Sequence, residues 1–380
     1  MSRPSSDRRL MLYVPNLDGG GAEGVMVNLA NGLAALGYHV DLVAATRGGV
    51  NEQNISGGVN FVRLGASGCL ASVPSLTRCL RQKKPHALLS TLSHANLAAI
   101  ISNRLAGGNS RVIIREAAPI KLTAQYYGSL RTRLAQTGMR WLYPQASFVV
   151  ANSLGLAGEL IESLRLPPAK VRVVENPVIK DDFEALAGER LADPWFHDPR
   201  IPVVLGAGRL AVEKDFETLI RAFKILWRKR PARLVILGEG KERQKLEGLV
   251  AVEGLQEAVK LPGYLRNPLA YMRHCGCFVL SSRYEGSPNV LIQALAAGAR
   301  VVSTDCPWGP REILEDGRLG KLAPVGNVEA MAAAVLETLA QPPCAARPGA
   351  LEKLSERYGV TAVVRKCHEL VDEACPHGTV

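Results

Sequence analysis

Residues 281–298 read SSRYEGSPNVLIQALAAG. The apolar run Cys277-Phe278-Val279-Leu280 just before them predicts a buried strand. Ser287 followed by Pro288 predicts a helix start, with serine as the cap and proline at the first helical position, where its missing N–H is no loss. Val290, Leu291, Ala294, Leu295 and Ala297 then recur at helical spacing, and Gly298 is suited to the left-handed residue that ends a helix. The stretch is therefore strand, loop, helix. Glu285 and Gly286 lie in the loop, and unpaired backbone N–H groups at the helix start favour an anion. A capped surface helix with an incidental glutamate is the competing interpretation.

Moving outward, the same scheme recurs along the chain. Residues 10–14 form an apolar run followed by Asn16, Leu17, Asp18 and three glycines; a helical pattern over 22–36 and a second apolar run over 39–44 come next. This is a βαβ opening with a glycine turn at the carboxyl end of its first strand, where open α/β sheets place ligands. The turn lacks the G-x-G-x-x-G spacing and no acidic residue follows the second strand, which disfavours NAD. Further strands are expected at 59–64, 87–91, 111–115, 147–151 and 171–174. From 203 a second series starts, with a Gly206-Ala207-Gly208-Arg209 turn, a helix over 216–228, a strand over 234–237, and the turn Gly238-Glu239-Gly240.

Glu285 and Gln293 are eight positions apart. Glu285-to-Gln293 resembles the E-x7-E signature of the family-four retaining glycosyltransferases of GT-B fold, with glutamine in the second glutamate's place. The resemblance implies that Glu285 holds donor-sugar hydroxyls, that Gln293 reaches the nucleotide ribose, and that the backbone of Gly286, Ser287, Pro288, Asn289 and Val290 holds the diphosphate. Glutamine keeps the acceptor oxygen and gains donors while losing the charge. Arg209 and Lys214 match the family's Arg and Lys after the first strand of the second domain, which reach the donor diphosphate. Gly208 belongs to the same turn. Backbone near Gly263 and Tyr264 is implied to meet the base, and Gly20 and Gly21 to lie over the donor phosphates and the acceptor. His94, in a strand-to-helix loop, matches the position where the family often carries an active-site His or acid. The matches run in order through nearly the whole chain, the second half being the more specific.

The expected architecture is α/β: two doubly wound Rossmann-like domains facing a central cleft. Residues 1–178 form an acceptor-binding domain, 179–200 a linker and 201–350 a nucleotide-sugar-binding domain; 351–380 carry a last helix crossing back to the first domain. The expected activity is transfer of a sugar from a nucleotide sugar to a glycan or polyprenyl-linked acceptor in envelope polysaccharide synthesis. A UDP-sugar is the favoured donor and GDP-mannose the second. Retention by two displacements needs a carboxylate nucleophile, whereas the motif uses Glu285 to hold the sugar, so front-face substitution is expected. No Asp-x-Asp, P-loop or HExxH is present, and no metal or cofactor is called for. Alternatives are a non-catalytic sugar-nucleotide-binding protein and a GT-B epimerase.

Composition sets the outer limits. A chain of 380 residues suits two domains. No apolar run approaches the ~20 residues needed to cross a bilayer, and no signal-length segment precedes the first glycines, so a cytoplasmic protein is expected. Eight scattered cysteines predict reduced, mostly buried thiols. The net charge of +11 raises nucleic acid as a partner, but the basic residues form no recognisable nucleic-acid motif. Residues 121–144 combine Lys121, Arg131, Arg133 and Arg140 with Tyr126, Tyr127, Trp141 and Tyr143; such a segment suits peripheral contact with an anionic membrane face, or else an ordinary solvated face.

Overall fold

The computed structural model describes residues 8–18, 20–46, 49–126, 130–341 and 349–376. They form two compact units, residues 1–177 with 358–380, and residues 178–357.

The first unit is built on strands β1 (Arg9–Val14), β2 (His39–Ala44), β3 (Val59–Arg63), β4 (Ala87–Thr91), β5 (Arg111–Glu116), β6 (Phe148–Ala151) and β7 (Val171–Val173). They lie in one parallel seven-stranded sheet in the order β3-β2-β1-β4-β5-β6-β7. The second unit repeats the plan with β8 (Val203–Ala207), β9 (Arg233–Leu237), β10 (Val259–Gly263), β11 (Cys277–Leu280), β12 (Val301–Thr304) and β13 (Lys321–Ala323). Its six parallel strands run β10-β9-β8-β11-β12-β13. Helices on both faces of a parallel sheet leave its strands no wet side, so these strands read as continuous apolar runs. Leu10 to Val14 and Val203 to Ala207 are buried throughout. Each sheet has one switch point, β1/β4 in the first and β8/β11 in the second, where the order reverses and a crevice opens beyond the carboxyl ends.

The structure changes four details of the expected layout. The 179–200 stretch, expected as a linker, belongs to the second unit. It carries the short helix Phe183–Ala187 and the turn Pro194–Phe196. Lys260 Nζ sits 3.9 Å from the centre of the Trp195 ring, and Arg233 donates to the Trp195 carbonyl at 3.0 Å. The helix of the opening stretch begins at Asn289, with Pro288 in the cap position and no side-chain cap. A Cβ on Gly309 would lie 2.9–3.0 Å from Pro288, Gly286 and Ser287, so tertiary packing, not a serine cap, shapes that turn. Gly298 is left-handed at φ 85°, as the pattern predicts.

The third change is at the C-terminus, where one expected helix is two, Ala350–Tyr358 and Val360–Ala374. They break at Gly359, which is extended. The second of them joins the first unit's core with Val363, Val364, Cys367, Leu370 and Val371 buried. Gross burial is worth about 1.5–3 kcal/mol for each large aliphatic side chain. Arg8 adds a 2.5 Å ion pair to Asp372, and Tyr38 a 2.6 Å hydrogen bond with His368. The last change is Tyr143, expected at a membrane face: it is wholly buried, because its hydroxyl serves a buried carboxylate described below.

Gly32 shows how tightly this last helix is seated. A Cβ there would stand 2.3 Å from Val364 Cγ2, so the helix interior carries a residue that is otherwise a poor helix former. Gly32→Ala should destabilise the protein by roughly 1–3 kcal/mol of overpacking despite its better helix propensity, and so lower the melting temperature. Adding Val364→Ala to that variant should restore part of the loss. Thermal unfolding of the two variants checks this, and a neutral or stabilising Gly32→Ala would show that the contact is loose.

Candidate functional site

In the second unit the predicted residues gather on the two strands flanking the switch point. Arg209 and Lys214 follow β8, and Glu285 follows β11. Lys214 Nζ lies 2.6 Å from Glu285 Oε1, with side chains only 19% and 11% exposed. Ser282 Oγ donates to the same Oε1 at 2.6 Å, and Ser281 Oγ donates to the Lys214 carbonyl at 2.7 Å. Backbone bonds fix the Glu285 loop on the loop after β12. Glu285 N–H donates to the Pro307 carbonyl at 2.7 Å, and Trp308 N–H to the Glu285 carbonyl at 2.6 Å.

The loop bearing Lys214 is held equally well. Arg283 donates its N–H to the Glu213 carbonyl at 2.8 Å and its guanidinium to Asp215 at 3.0 Å. Asp215 is left-handed at φ 47° and also accepts from Thr218 Oγ1 at 2.9 Å. Arg209 is the open member: its side chain is 71% exposed and reaches Glu213 Oε1 at 2.6 Å. Gly208 donates its N–H to the Leu237 carbonyl at 2.9 Å. Gly238 donates to the Gly263 carbonyl at 2.8 Å, so the loops after β8, β9 and β10 are sewn together. Only glycine fits at 238, since a Cβ would stand 1.9 Å from the Gly208 carbonyl oxygen. Tyr264 projects from this rim, 66% exposed. Gly286, Ser287 and Pro288 are buried, while Asn289, Val290 and Gln293 are half-buried.

In the first unit Gly20 caps the helix Gly21–Ala35 in an extended conformation and accepts from Gly24 N–H at 3.0 Å. The Glu23 carboxylate folds close to Gly20: a Cβ there would meet it at 2.1 Å. His94 is the second residue of the helix Ser93–Leu105, after β4. It is exposed, yet the surrounding protein removes enough water to hold its pKa below the usual histidine value, which favours the neutral imidazole. The glycine turn and His94 thus follow the two strands of the first switch point.

Beneath His94 lies a buried polar cluster that no motif announces. Glu116 ends β5, 2% exposed. It accepts from Ser93 Oγ at 3.2 Å, from Asn96 Nδ2 at 3.0 Å, and from Tyr143 Oη. Asn96 also donates to the Arg115 carbonyl at 3.0 Å and accepts from Ser90 Oγ at 2.7 Å. Burial pushes the Glu116 pKa up to about 7, and the hydrogen bonds from Tyr143, Asn96 and Ser93 limit the rise. The signals for these residues were faint: Ser282 is a serine three before the motif glutamate, and Glu116 follows an apolar strand.

Of the basic, aromatic segment, Tyr127 and the side chains of Arg131 and Arg133 lie outside the described residues. Lys121 pairs with Glu162 at 2.9 Å and Arg140 donates to the Ser163 carbonyl at 3.2 Å, so both are tied to the helix Leu154–Leu164. Trp141 and Tyr126 remain exposed, at 76% and 39%. Among the described residues no helix is long and apolar enough to cross a membrane, and no cluster of three or more His, Cys, Asp or Glu is placed to hold a metal. Burial pushes the Cys277 and Cys306 thiols up to about 12, which keeps them protonated.

Two parallel-sheet Rossmann-like units with switch-point sites define the GT-B architecture, and solved structures agree over almost the whole chain. HepE of Anabaena, in complex with UDP and glucose, superposes with a TM-score of 0.77 at 17% identity, covering 96% of this chain and 99% of that one. Sucrose-phosphate synthase of Thermosynechococcus elongatus gives 0.79 at 18% identity, covering 96% and 98%. The family model for Glycosyltransferase Family 4 matches residues 19–181, and that for Glycosyl transferases group 1 matches 201–341. The chain belongs to the glycosyltransferase family that these two models describe. An N-acetylgalactosamine-N,N'-diacetylbacillosaminyl-diphospho-undecaprenol 4-alpha-N-acetylgalactosaminyltransferase of Campylobacter jejuni is 33% identical over 242 residues, 63% of each chain's length. The lipopolysaccharide core biosynthesis glycosyltransferase LpsE of Rhizobium meliloti is 27% identical over 363 residues, 93% of this chain and 94% of that one.

The Lys214–Glu285 pair is well buried, so each partner depends on the other. Lys214→Ala and Glu285→Ala should each destabilise the second unit more than their combination does, with a coupling of about 1–3 kcal/mol. A double-mutant cycle by chemical unfolding measures it. Strict additivity would mean that the two groups do not interact in solution.

Proposed function

We propose that this protein is a retaining glycosyltransferase that moves a sugar from a nucleotide sugar to a glycan or polyprenyl-linked acceptor in cell-envelope polysaccharide synthesis. One observation carries the reading: the Lys214 ammonium and the Glu285 carboxylate meet at the β8/β11 switch point, beside the start of the helix Asn289–Ala296. Donor recognition belongs to this second unit. Glu285 is set to accept from sugar hydroxyls, and Lys214, Arg209 and the backbone from Gly286 to Val290 to hold the diphosphate. Gln293 serves the ribose; Gly263 and Tyr264 serve the base.

The chemistry follows from charge. As the bond between sugar and phosphate breaks, the leaving nucleoside diphosphate gains negative charge. Lys214, Arg209 and backbone N–H groups stabilise that charge without needing a proton, and Lys214 and the backbone groups, being fixed in place, need no reorganisation during the step. Glu285 is bound to Lys214 and Ser282, which suits an orienting carboxylate more than a free nucleophile. Front-face substitution therefore fits, with a phosphate oxygen taking the acceptor's proton. Fixed cations also replace the role of a divalent metal. We assign acceptor recognition to the first unit, through the Gly20-Gly21 turn and the neutral imidazole of His94.

The donor is read as a UDP-sugar, with GDP-mannose second, which the UDP seen with HepE supports; the diphospho-undecaprenol acceptor named for the C. jejuni relative supports a polyprenyl-linked acceptor. The exposed Trp141 and Tyr126 suit contact with an anionic membrane face near such an acceptor.

The test is nucleotide release from a panel of UDP- and GDP-sugars, with and without polyprenyl-diphosphate-linked sugar. Glu285→Ala should lower turnover on the order of 100-fold, because its contacts lie at the reacting sugar. Gln293→Ala should act mainly on donor KM, by about 1 kcal/mol, and Gln293→Glu should be tolerated. Full turnover in Glu285→Ala would end the assignment. Activity should persist in EDTA, whereas strict dependence on Mg2+ or Mn2+ would overturn the metal-free mechanism. Vesicle binding should require anionic headgroups and weaken with salt; equal binding to neutral vesicles would refute the electrostatic contact.

A further inference from the structure

We infer that Glu116 is a positioning residue: through Ser93 and Tyr143 it locks the first turn of the His94 helix to the end of the Leu130–Leu142 helix. This rests on the proposed role of the first unit in acceptor recognition, and it deepens it by naming the group that sets His94 in place.

The geometry makes the case. Three segments converge on one carboxylate. Ser93, next to His94, donates to Oε2 at 3.2 Å; Asn96, one turn further along the same helix, donates to Oε1 at 3.0 Å; Tyr143, directly after the Leu130–Leu142 helix, donates to Oε1 as well. Asn96 lies 3.3 Å from the Tyr143 hydroxyl, closing the network. Leu92, the residue before Ser93, sits at φ 73°, a conformation that a side chain tolerates only when its surroundings impose it. Glu116, Asn96 and Tyr143 are all buried, so no water substitutes for a lost bond among them.

An ionised Glu116 accepts all three bonds. A protonated one must turn one oxygen into a donor, and the Ser93 or Tyr143 hydroxyl must then reverse. Reversal keeps the contact but trades a charge-assisted bond for a weaker neutral one, so the first-turn lock is strongest in the ionised form. The groups facing Glu116 set when that form exists. Glu159, 7% exposed on the helix Leu154–Leu164 and bonded to Lys121 N–H at 2.9 Å, disfavours a second negative charge. His94 on the helix above is held toward its neutral form. Arg115, next in the strand, directs its guanidinium to Asn176 and the Val174 carbonyl. Burial adds most, and the carboxyl changes state at about pH 7. The sign follows: the lock is strongest above about pH 7 and weakens as pH falls through it.

The experiment compares wild type with Glu116→Gln, which keeps the shape and cannot ionise. Two readouts are taken across pH 5.5 to 8.5, on the order of 1.5 units either side of the neutral range. The first is UDP release from UDP-N-acetylhexosamines with a polyprenyl-diphosphate-linked sugar. The second is amide hydrogen exchange in residues 92–97, divided by the intrinsic rate at each pH. Wild type should show an inflection near pH 7 in both, with faster exchange and slower transfer on the acid side. Glu116→Gln should lose both inflections and hold the acid-side values throughout. Tyr143→Phe, which removes one bond to the charged carboxylate, should move the inflection to higher pH; it also decides the matter if Glu116→Gln fails to fold. An inflection that survives in Glu116→Gln, or that stays put in Tyr143→Phe, overturns the proposal. If no nucleotide sugar is turned over, the functional reading fails while the exchange data still decide the role of Glu116.

Discussion

Parallel strands joined by right-handed crossovers force helices onto both faces of a sheet, and where the strand order reverses the two neighbouring connections leave in opposite directions. The gap that results at the carboxyl ends is the constraint on which both units depend. In the second unit it falls between β8 and β11, so residues about 70 positions apart in sequence, Lys214 and Glu285, meet at 2.6 Å. In the first it falls between β1 and β4, which places the glycine turn and the His94 helix after adjacent strands. Neither pairing needs a special device in the chain beyond short strands and short loops.

What the second site adds to this topology is rigidity. Glu285 is tied by side chain to Lys214 and Ser282, and by backbone to Pro307 and Trp308. Lys214 is anchored by Ser281 at its carbonyl, and its loop by Arg283 through Glu213 and Asp215. A cation and a carboxylate held this way lose little conformational freedom when a charged ligand arrives. Arg209 differs, its side chain being largely open to solvent while it pairs with Glu213. Such an arrangement gives one preorganised positive charge and one that adapts.

The fold was largely legible because buried parallel strands appear as uninterrupted apolar runs, and the turns between them carry glycines. Glu285, Lys214 and Arg209 were legible through the family resemblance, whose motif residues lie a short distance beyond such runs. Glu116 was not, because its environment comes from Ser93, Asn96 and Tyr143, which are 20 to 27 positions away in sequence. For the same reason Tyr143 reads as an interfacial aromatic until the carboxylate it serves is seen. The 179–200 stretch reads as a tether because proline and charge dominate it, while its Trp195 lies against Lys260 of another segment. The Ser287-Pro288 pair misleads by one residue, since packing of Gly309 against the turn overrides the local capping preference.

The helix Val360–Ala374 has a consequence for biosynthesis. The first unit's core includes Val363, Val364 and Val371, yet the chain that supplies them follows every residue of the second unit. A ribosome releases chain from the N-terminus onward, so the second unit has all its residues while the first still lacks a wall. Until then Gly32 and its neighbours on the helix Gly21–Ala35 keep an uncovered apolar stripe. The half of the chain made first is therefore the half whose core receives its last side chains after the second unit is complete in sequence.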